Sequence, residues 1–221
     1  VSSSKPYHHG NLHEEILQEA IKLGREGGPE SVTIRAATRA VGVSPTAAYR
    51  HFKDQAALLD AVADVATYEL ITKLSEAFEE TEGTIVDKMM AAGFAYYHYA
   101  LEEQNFFECM MATSGFDIPA GLAAAAEGPG EDLRVQATFN FYGYMEQYAR
   151  SIGQEPSKQH MMQNCLAGWS TVHGFTVLCL SGHLRSLPEE KVETLAQSVI
   201  ASAVRGLDFD NPLEAHHPGR S

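Results

Sequence analysis

The sequence predicts an all-α protein: a small N-terminal head of three short helices on a larger helical-bundle body. Three observations predict it. Apolar residues recur at helical spacing along the chain, alternation of the strand type is absent, and Gly, Pro, Ser, Thr and Asp punctuate the pattern where helices begin and end. At 221 residues the chain is long enough for such a head and body to bury a sizeable core. The expected division is 1–60 for the head, with a flexible N-terminal arm, and 61–221 for the body.

In the first helix Leu12, Ile16, Ala20 and Leu23 build one apolar stripe, and Gly27-Gly28-Pro29 ends it as a cap followed by a breaker. A second short helix follows Thr33, whose hydroxyl suits an N-cap, and runs from Ile34 to Val41, after which Gly42 turns the chain. Ser44 caps a third helix with Pro45 at its first position, about two turns long and ending near Phe52. Asp54 opens a fourth that carries Leu58, Leu59, Val62 and Val65 to about Lys73. Further helices are expected near 84–101, 103–113, 131–152, 157–182 and 188–206. The stretch Ser114 to Gly130 reads as a long connection holding one short helix, and the tail from Asp208 as frayed.

Charge is unevenly placed. The formal net charge is −13, yet residues 1–60 carry seven Lys and Arg against seven Asp and Glu, so all the excess acid lies in the body. A negative total therefore leaves nucleic acid open as a partner of the head. No apolar run approaches the roughly 20 residues of a membrane-spanning helix, so no membrane partner is expected. Val1 to Asn11 lacks the apolar segment of a secretory signal, which points to the cytoplasm. Cys109, Cys165 and Cys179 form no CxxC pair and read as buried reduced thiols.

Residues Thr33 to Lys53 have the mechanics of a helix-turn-helix. Two short helices crossing steeply need a Gly turn, Gly42, and apolar residues that lock the pair, here Ile34, Ala37, Val43, Ala48 and Phe52. The second helix is then free to enter a major groove, its leading positions Pro45, Thr46, Ala47 and Arg50 facing base edges. Arg50 pairs there with guanine or with phosphate.

Ile16-Leu17, Ala20, Gly28-Pro29, Thr33, Arg35, Gly42-Val43-Ser44, Tyr49, His51-Phe52 and Leu58-Leu59 stand at the spacing of a known signature. By these residues the chain resembles the TetR family of bacterial transcription regulators. The resemblance implies an Ω-shaped homodimer that binds double-stranded DNA at a palindromic operator, with a variable C-terminal domain that senses a small-molecule effector. It implies that Tyr49 and His51 meet DNA, that Thr33 and Ser44 donate to phosphates, and that Arg35 belongs to the same surface. Two positions depart from the pattern. Gln55 stands where a Lys usually opens the fourth helix, which implies a phosphate contact either weakened or shifted to Lys53, and Ala37-Thr38 stands where a larger residue and a small Ala are usual. His8 and His9 lie on an arm that either reaches DNA or stays disordered.

The body is rich in aromatics and Met, most of them core. Phe107, Met110, Phe139, Tyr142, Trp169 and His173 form the candidate pocket, because such side chains fill irregular space around apolar ligands. Ala167 to Leu178 resembles a Trp-x-x-x-His-Gly pattern of one subset of TetR-like sensor domains. By the same resemblance the segments near 157–182 and 188–206 form the dimer's four-helix bundle, where Ala167, Gly168, Ser170, Gly174, Ser198, Ala201 and Ala203 permit close approach. Cys165 and His173 share one helical face, and Cys179 with His183 repeats the four-residue step, but neither pair supplies the further ligands of a metal site. No metal and no cofactor are expected. No nucleophile triad, HExxH, phosphate loop or ExxH pair is present, so no enzyme is expected. These features together read as a repressor released from its operator by an effector that moves the fourth helix. The alternative is a helical metal-binding or enzymatic bundle with an incidental helix-turn-helix segment.

Overall fold

The computed structural model describes residues 12–113, 118–129 and 133–207. The arm with His8 and His9 and the tail from Asp208 lie outside them. The described residues form ten α-helices and no strand: α1 (Leu12–Gly27), α2 (Ile34–Val41), α3 (Pro45–Ala48), α4 (Gln55–Glu80), α5 (Ile85–Glu102), α6 (Gln104–Met111), α7 (Ile118–Ala125), α8 (Leu133–Ser151), α9 (Lys158–Leu180) and α10 (Glu189–Arg205). No helix among these residues is long and apolar enough to cross a membrane.

Two compact units result. The first holds residues 1–67 and 103–116, the second 68–102 and 117–221, so the division falls inside α4 and residues from α6 group with the N-terminal helices. In the first unit α1 buries Ile16, Ala20 and Gly24, a step of four residues that keeps them on one face. The fit around Gly24 is tight: a Cβ would stand 3.1 Å from Cys109 Sγ on α6 and 3.3 Å from a Val62 methyl on α4, so those side chains would have to give by a few tenths of an ångström. Phe106, Phe107, Cys109 and Met110 are fully buried and complete this core.

Two expectations need correction. The third helix keeps α-helical bonding only over Pro45–Ala48. Beyond it the N–H groups of Arg50 and His51 reach back three residues, to Ala47 and Ala48, so the second turn tightens before Phe52 is buried. The fourth helix runs past Lys73 to Glu80, because its apolar stripe continues to Phe78, which stacks on Tyr144 with ring centroids 3.8 Å apart.

In the second unit the core gathers Phe78, Met89, Tyr144, Met145, Tyr148 and Met161 from α4, α5, α8 and α9. Local chemistry sets the helix starts. Thr84 and Asp87 cap α5 reciprocally, the Thr84 N–H donating to the Asp87 carboxylate at 2.8 Å and the Asp87 N–H to the Thr84 hydroxyl at 3.3 Å. The Thr84 hydroxyl, which also donates to that carboxylate at 2.7 Å, and the Thr84 N–H hold the Asp87 carboxyl below the usual carboxylate range. Ser157 caps α9, accepting from the His160 N–H at 3.2 Å.

Helices α5, α9 and α10 pack against one another, and Gly93 permits the α5 to α10 approach. A Cβ at Gly93 would stand 2.5 Å from the Cγ2 methyl of buried Ile200. Gly93→Ala therefore forces the helices apart or Ile200 off its rotamer, at a cost of about 1–3 kcal/mol. The denaturation midpoint of the variant is expected to fall; an unchanged midpoint would show that the two helices do not lie this close.

Candidate nucleic-acid interface

The head's geometry follows from three local devices. Thr33 accepts the Ala36 N–H at 3.1 Å and so starts α2. Gly42 ends it with φ 84° and ψ 27°, a left-handed conformation in which the N–H groups of Gly42 and Val43 both reach the Thr38 carbonyl at 2.9 Å. No atom lies within 4 Å of where a Cβ would be, so glycine serves the backbone angle and not the space. Asp54 starts α4 by accepting the Ala57 N–H at 2.9 Å.

Ile34, Ala37, Ala48 and Phe52 are buried and lock α2 to α3, while Val43 is half-buried. Thr38 is fully buried, and its hydroxyl donates to the Ile34 carbonyl at 2.7 Å. The unusual hydroxyl in the helix crossing is thus satisfied within its own helix and leaves no unpaired polar group.

The other side of the pair faces solvent. Arg35, Ser44, Pro45, Thr46, Tyr49, Arg50, His51 and Lys53 are exposed, Tyr49 by 57%, and Thr33 and Ala47 are half-buried. Ser44 starts α3 through its backbone alone: its carbonyl takes the Ala47 N–H at 3.0 Å, and its hydroxyl makes no cap bond. Residues 31–53 contain four cations, Arg35, Arg39, Arg50 and Lys53, all exposed, and no Asp or Glu. A surface of this sign draws in phosphate whatever the charge of the whole chain.

His13, one of four histidines in residues 1–60, joins this surface. Its exposed ring stacks on Phe52 with centroids 4.6 Å apart and meets His51 edge-on at 6.1 Å. The sequence offers the residue but not its contacts, since it lies on α1 and its partners follow α3.

The pocket candidates divide between the units. Phe107 and Met110 belong to the first unit's core. Phe139, Tyr142, Trp169 and His173 belong to the second, where Phe139 and Tyr142 are half-buried. Trp169 stacks on His173 with centroids 4.4 Å apart, and Tyr96 Oη lies 2.8 Å from His173 Nδ1. The Tyr96 side chain also bonds to Trp169. An indole only donates, so the Tyr96 oxygen accepts from it and the phenol proton is left for Nδ1. Sequence spacing does not single out Tyr96 for this role. Burial raises the Tyr96 phenol and lowers the His173 imidazole from its ordinary value, so both are held neutral.

Burial pushes the Cys165 thiol up to about 12 and raises Cys179 as well, which favours the protonated thiols over metal-binding thiolates. Among the described residues no group of three or more His, Cys, Asp or Glu converges on a metal position.

A helix-turn-helix with an exposed cationic segment, followed by a separate helical unit, is the architecture of a DNA-binding regulator. Comparison with known proteins gives the family. Residues 16–62 match the bacterial regulatory proteins of the tetR family, and residues 89–203, more than half of the chain, match the tetracyclin repressor-like C-terminal domain. The chain belongs to the TetR family of regulators. It is 26% identical over 175 residues to the nucleoid occlusion factor SlmA of Marinomonas sp. (strain MWYL1), covering 77% of this chain and 80% of that one. With SlmA of Salmonella paratyphi B it shares 32% identity over 75 residues, 34% of this chain and 38% of the relative. A Rhodococcus sp. RHA1 structure superimposes with a TM-score of 0.67 at 26% identity, covering 92% of this chain and 99% of that one. A TetR variant of Acinetobacter baumannii AYE, solved in complex with minocycline, shares the fold with a TM-score of 0.60 at 16% identity, covering 91% and 96%.

The His173 shift has a consequence for stability. Because the folded imidazole titrates below its unfolded value, the unfolded chain takes up a proton first as pH falls. The contribution is present above the ordinary histidine range and is lost as pH drops through it toward the folded value. Thermal midpoints are expected to fall between about pH 7.5 and about pH 5.5, with a smaller fall in His173→Gln. Identical pH dependence in the two proteins would contradict the burial of a neutral ring.

Proposed function

We propose that this DNA-binding regulator recognises a palindromic operator as a homodimer, and that it is a repressor released by a small-molecule effector. The observation that carries the DNA reading is the exposure of Tyr49, Arg50, His51 and Lys53 on the far side of a helix pair locked by Ala37, Ala48 and Phe52. In this reading Pro45, Thr46, Ala47 and Arg50 face base edges, while Thr33, Arg35, Ser44 and Lys53 take phosphates. Short side chains at the start of α3 permit close approach to the groove.

The homodimer reading rests on an unpartnered face. Leu166, Ala167, Ser170, Gly174, Val177 and Leu178 recur at helical spacing on α9 and are all exposed, and Leu195, Ser198 and Ser202 do the same on α10. Leu178 is 45% exposed and Leu195 40%. Apolar and small residues in that pattern fit a second copy of the same helices in a four-helix bundle. The effector reading is supported by the family's tetracyclin repressor-like C-terminal domain and by the polar trio Tyr96, Trp169 and His173, with half-buried Phe139 and Tyr142 as further candidate contacts. Phe107 and Met110 are candidates of the same kind carried by the first unit. No cofactor enters this mechanism, and we place the protein in the cytoplasm, where an operator is met. An effector releases DNA only by preferring the non-binding state, so release is a shift of population and not a push.

Tyr49→Ala and Arg50→Ala test the DNA reading. Each is expected to weaken duplex binding by about 10-fold or more while the oligomeric state in size-exclusion chromatography is unchanged. If Arg50 meets phosphate, its loss also lowers the salt slope by about one counterion. Unaltered affinity in both variants would sink the assignment of this surface.

A further inference from the structure

The two ends of α1 are held by different parts of the first unit. At the C-terminal end the Asn105 carboxamide on α6 donates from Nδ2 to the carbonyls of Arg25 and Glu26, both at 3.0 Å. These are last-turn carbonyls, which a helix leaves without internal partners. The cap thus comes from a residue 80 positions away in the chain. The Arg25 guanidinium bonds to the Glu103 carboxylate and lies over the Phe106 ring, 4.1 Å from its centroid. Beside them the Gly24 backbone packs closely against Cys109 Sγ. A grip made of two neutral hydrogen bonds, an ion pair and a close van der Waals contact leaves the end of α1 little freedom to slide on α6.

At the N-terminal end His13 stacks on Phe52 and meets His51. Arg25 lies 12 residues beyond His13, about 18 Å along the axis at roughly 1.5 Å per residue. A helix is stiff over that length, so a shift at one end is carried to the other. The chain returns to this unit at Glu103, one of the gripping residues, immediately after α5 ends at Glu102.

We infer that Asn105 is a positioning residue for DNA binding, which acts through α1 as a rod: its cap on Arg25 and Glu26 sets the placement of His13 and thereby of the His51 turn on the recognition surface. The inference rests on the DNA reading of that surface. Asn105 touches no DNA in this account, and its effect is read at a distance.

Two measurements on the full chain test it. Hydrogen exchange in the absence of DNA compares the wild type with Asn105→Ala and Asn105→Asp, the latter keeping the shape and removing the donor. Exchange is expected to accelerate about 5-fold or more at the C-terminal end of α1 and also at the amides of residues 49–53, with the second unit unchanged. Acceleration confined to α1 and α6, or spread equally over the second unit as a global loss of stability, overturns the rod. The other measurement is a double-mutant cycle on duplex affinity with His13→Ala and Asn105→Ala. Independent sites give losses that multiply within about twofold. The rod predicts that the double variant loses little more than the weaker-binding single variant, and multiplicative losses overturn it. Should the wild type bind no duplex, the DNA reading fails by that result, while the exchange pattern still decides whether Asn105 positions the His51 turn.

Discussion

Gly42 holds the head together by taking a backbone angle that other residues resist. With φ at 84° it lets two successive N–H groups close on the Thr38 carbonyl, so α2 stops within one residue and the chain leaves at the angle that α3 needs. Everything placed afterwards depends on that exit. Ala48 and Phe52 reach the α2 face and are buried, and for that reason Tyr49, Arg50 and His51, which share the same turns, are turned out to solvent. A single conformational constraint thus converts an apolar lock into a cationic surface. The absence of acid between residues 31 and 53 then decides the sign of that surface against a chain whose net charge is −13.

The second unit solves a different problem. Its helices bury Met and aromatic side chains around Phe78, Tyr144 and Tyr148, but it also keeps a polar trio of buried Tyr96 and half-buried Trp169 and His173. Each of the three has a donor or acceptor matched to a neighbour, which offsets the cost of taking polar groups out of water. Both properties suit the proposed effector site: a core that holds its shape and a few oriented polar groups that distinguish one ligand from another.

Local chemistry makes much of this legible in the sequence. Thr33, Asp54 and Ser157 are caps whose reach is three residues, and Gly27-Gly28-Pro29 and Gly42 are breakers whose effect is immediate, so the helix starts and stops around them follow from the residues themselves. The turn at Gly42 and the apolar lock of Ala37, Ala48 and Phe52 are legible for the same reason. What is not legible depends on distance along the chain. That α6 completes the first unit's core requires Asn105 to find Arg25 and Cys109 to find Gly24, contacts that no periodicity encodes. Tyr96 meets His173 across 77 positions, and His13 meets Phe52 only because α3 brings it back. The length of the third helix misleads for a subtler reason: its apolar spacing is that of a helix, while the Arg50 and His51 N–H groups have already tightened to a three-residue reach.

The central claim is that the exposed face of α3 and the turn after it read a DNA sequence, twice, as a symmetric pair. Selection from a random duplex library by the purified full chain, at low and near-physiological salt, tests it most directly. The account predicts enrichment of a palindrome whose half-sites lie one or more helical turns apart, about 10 base pairs or a multiple, and retained at the higher salt. Recovery of no sequence above background at either salt would contradict it.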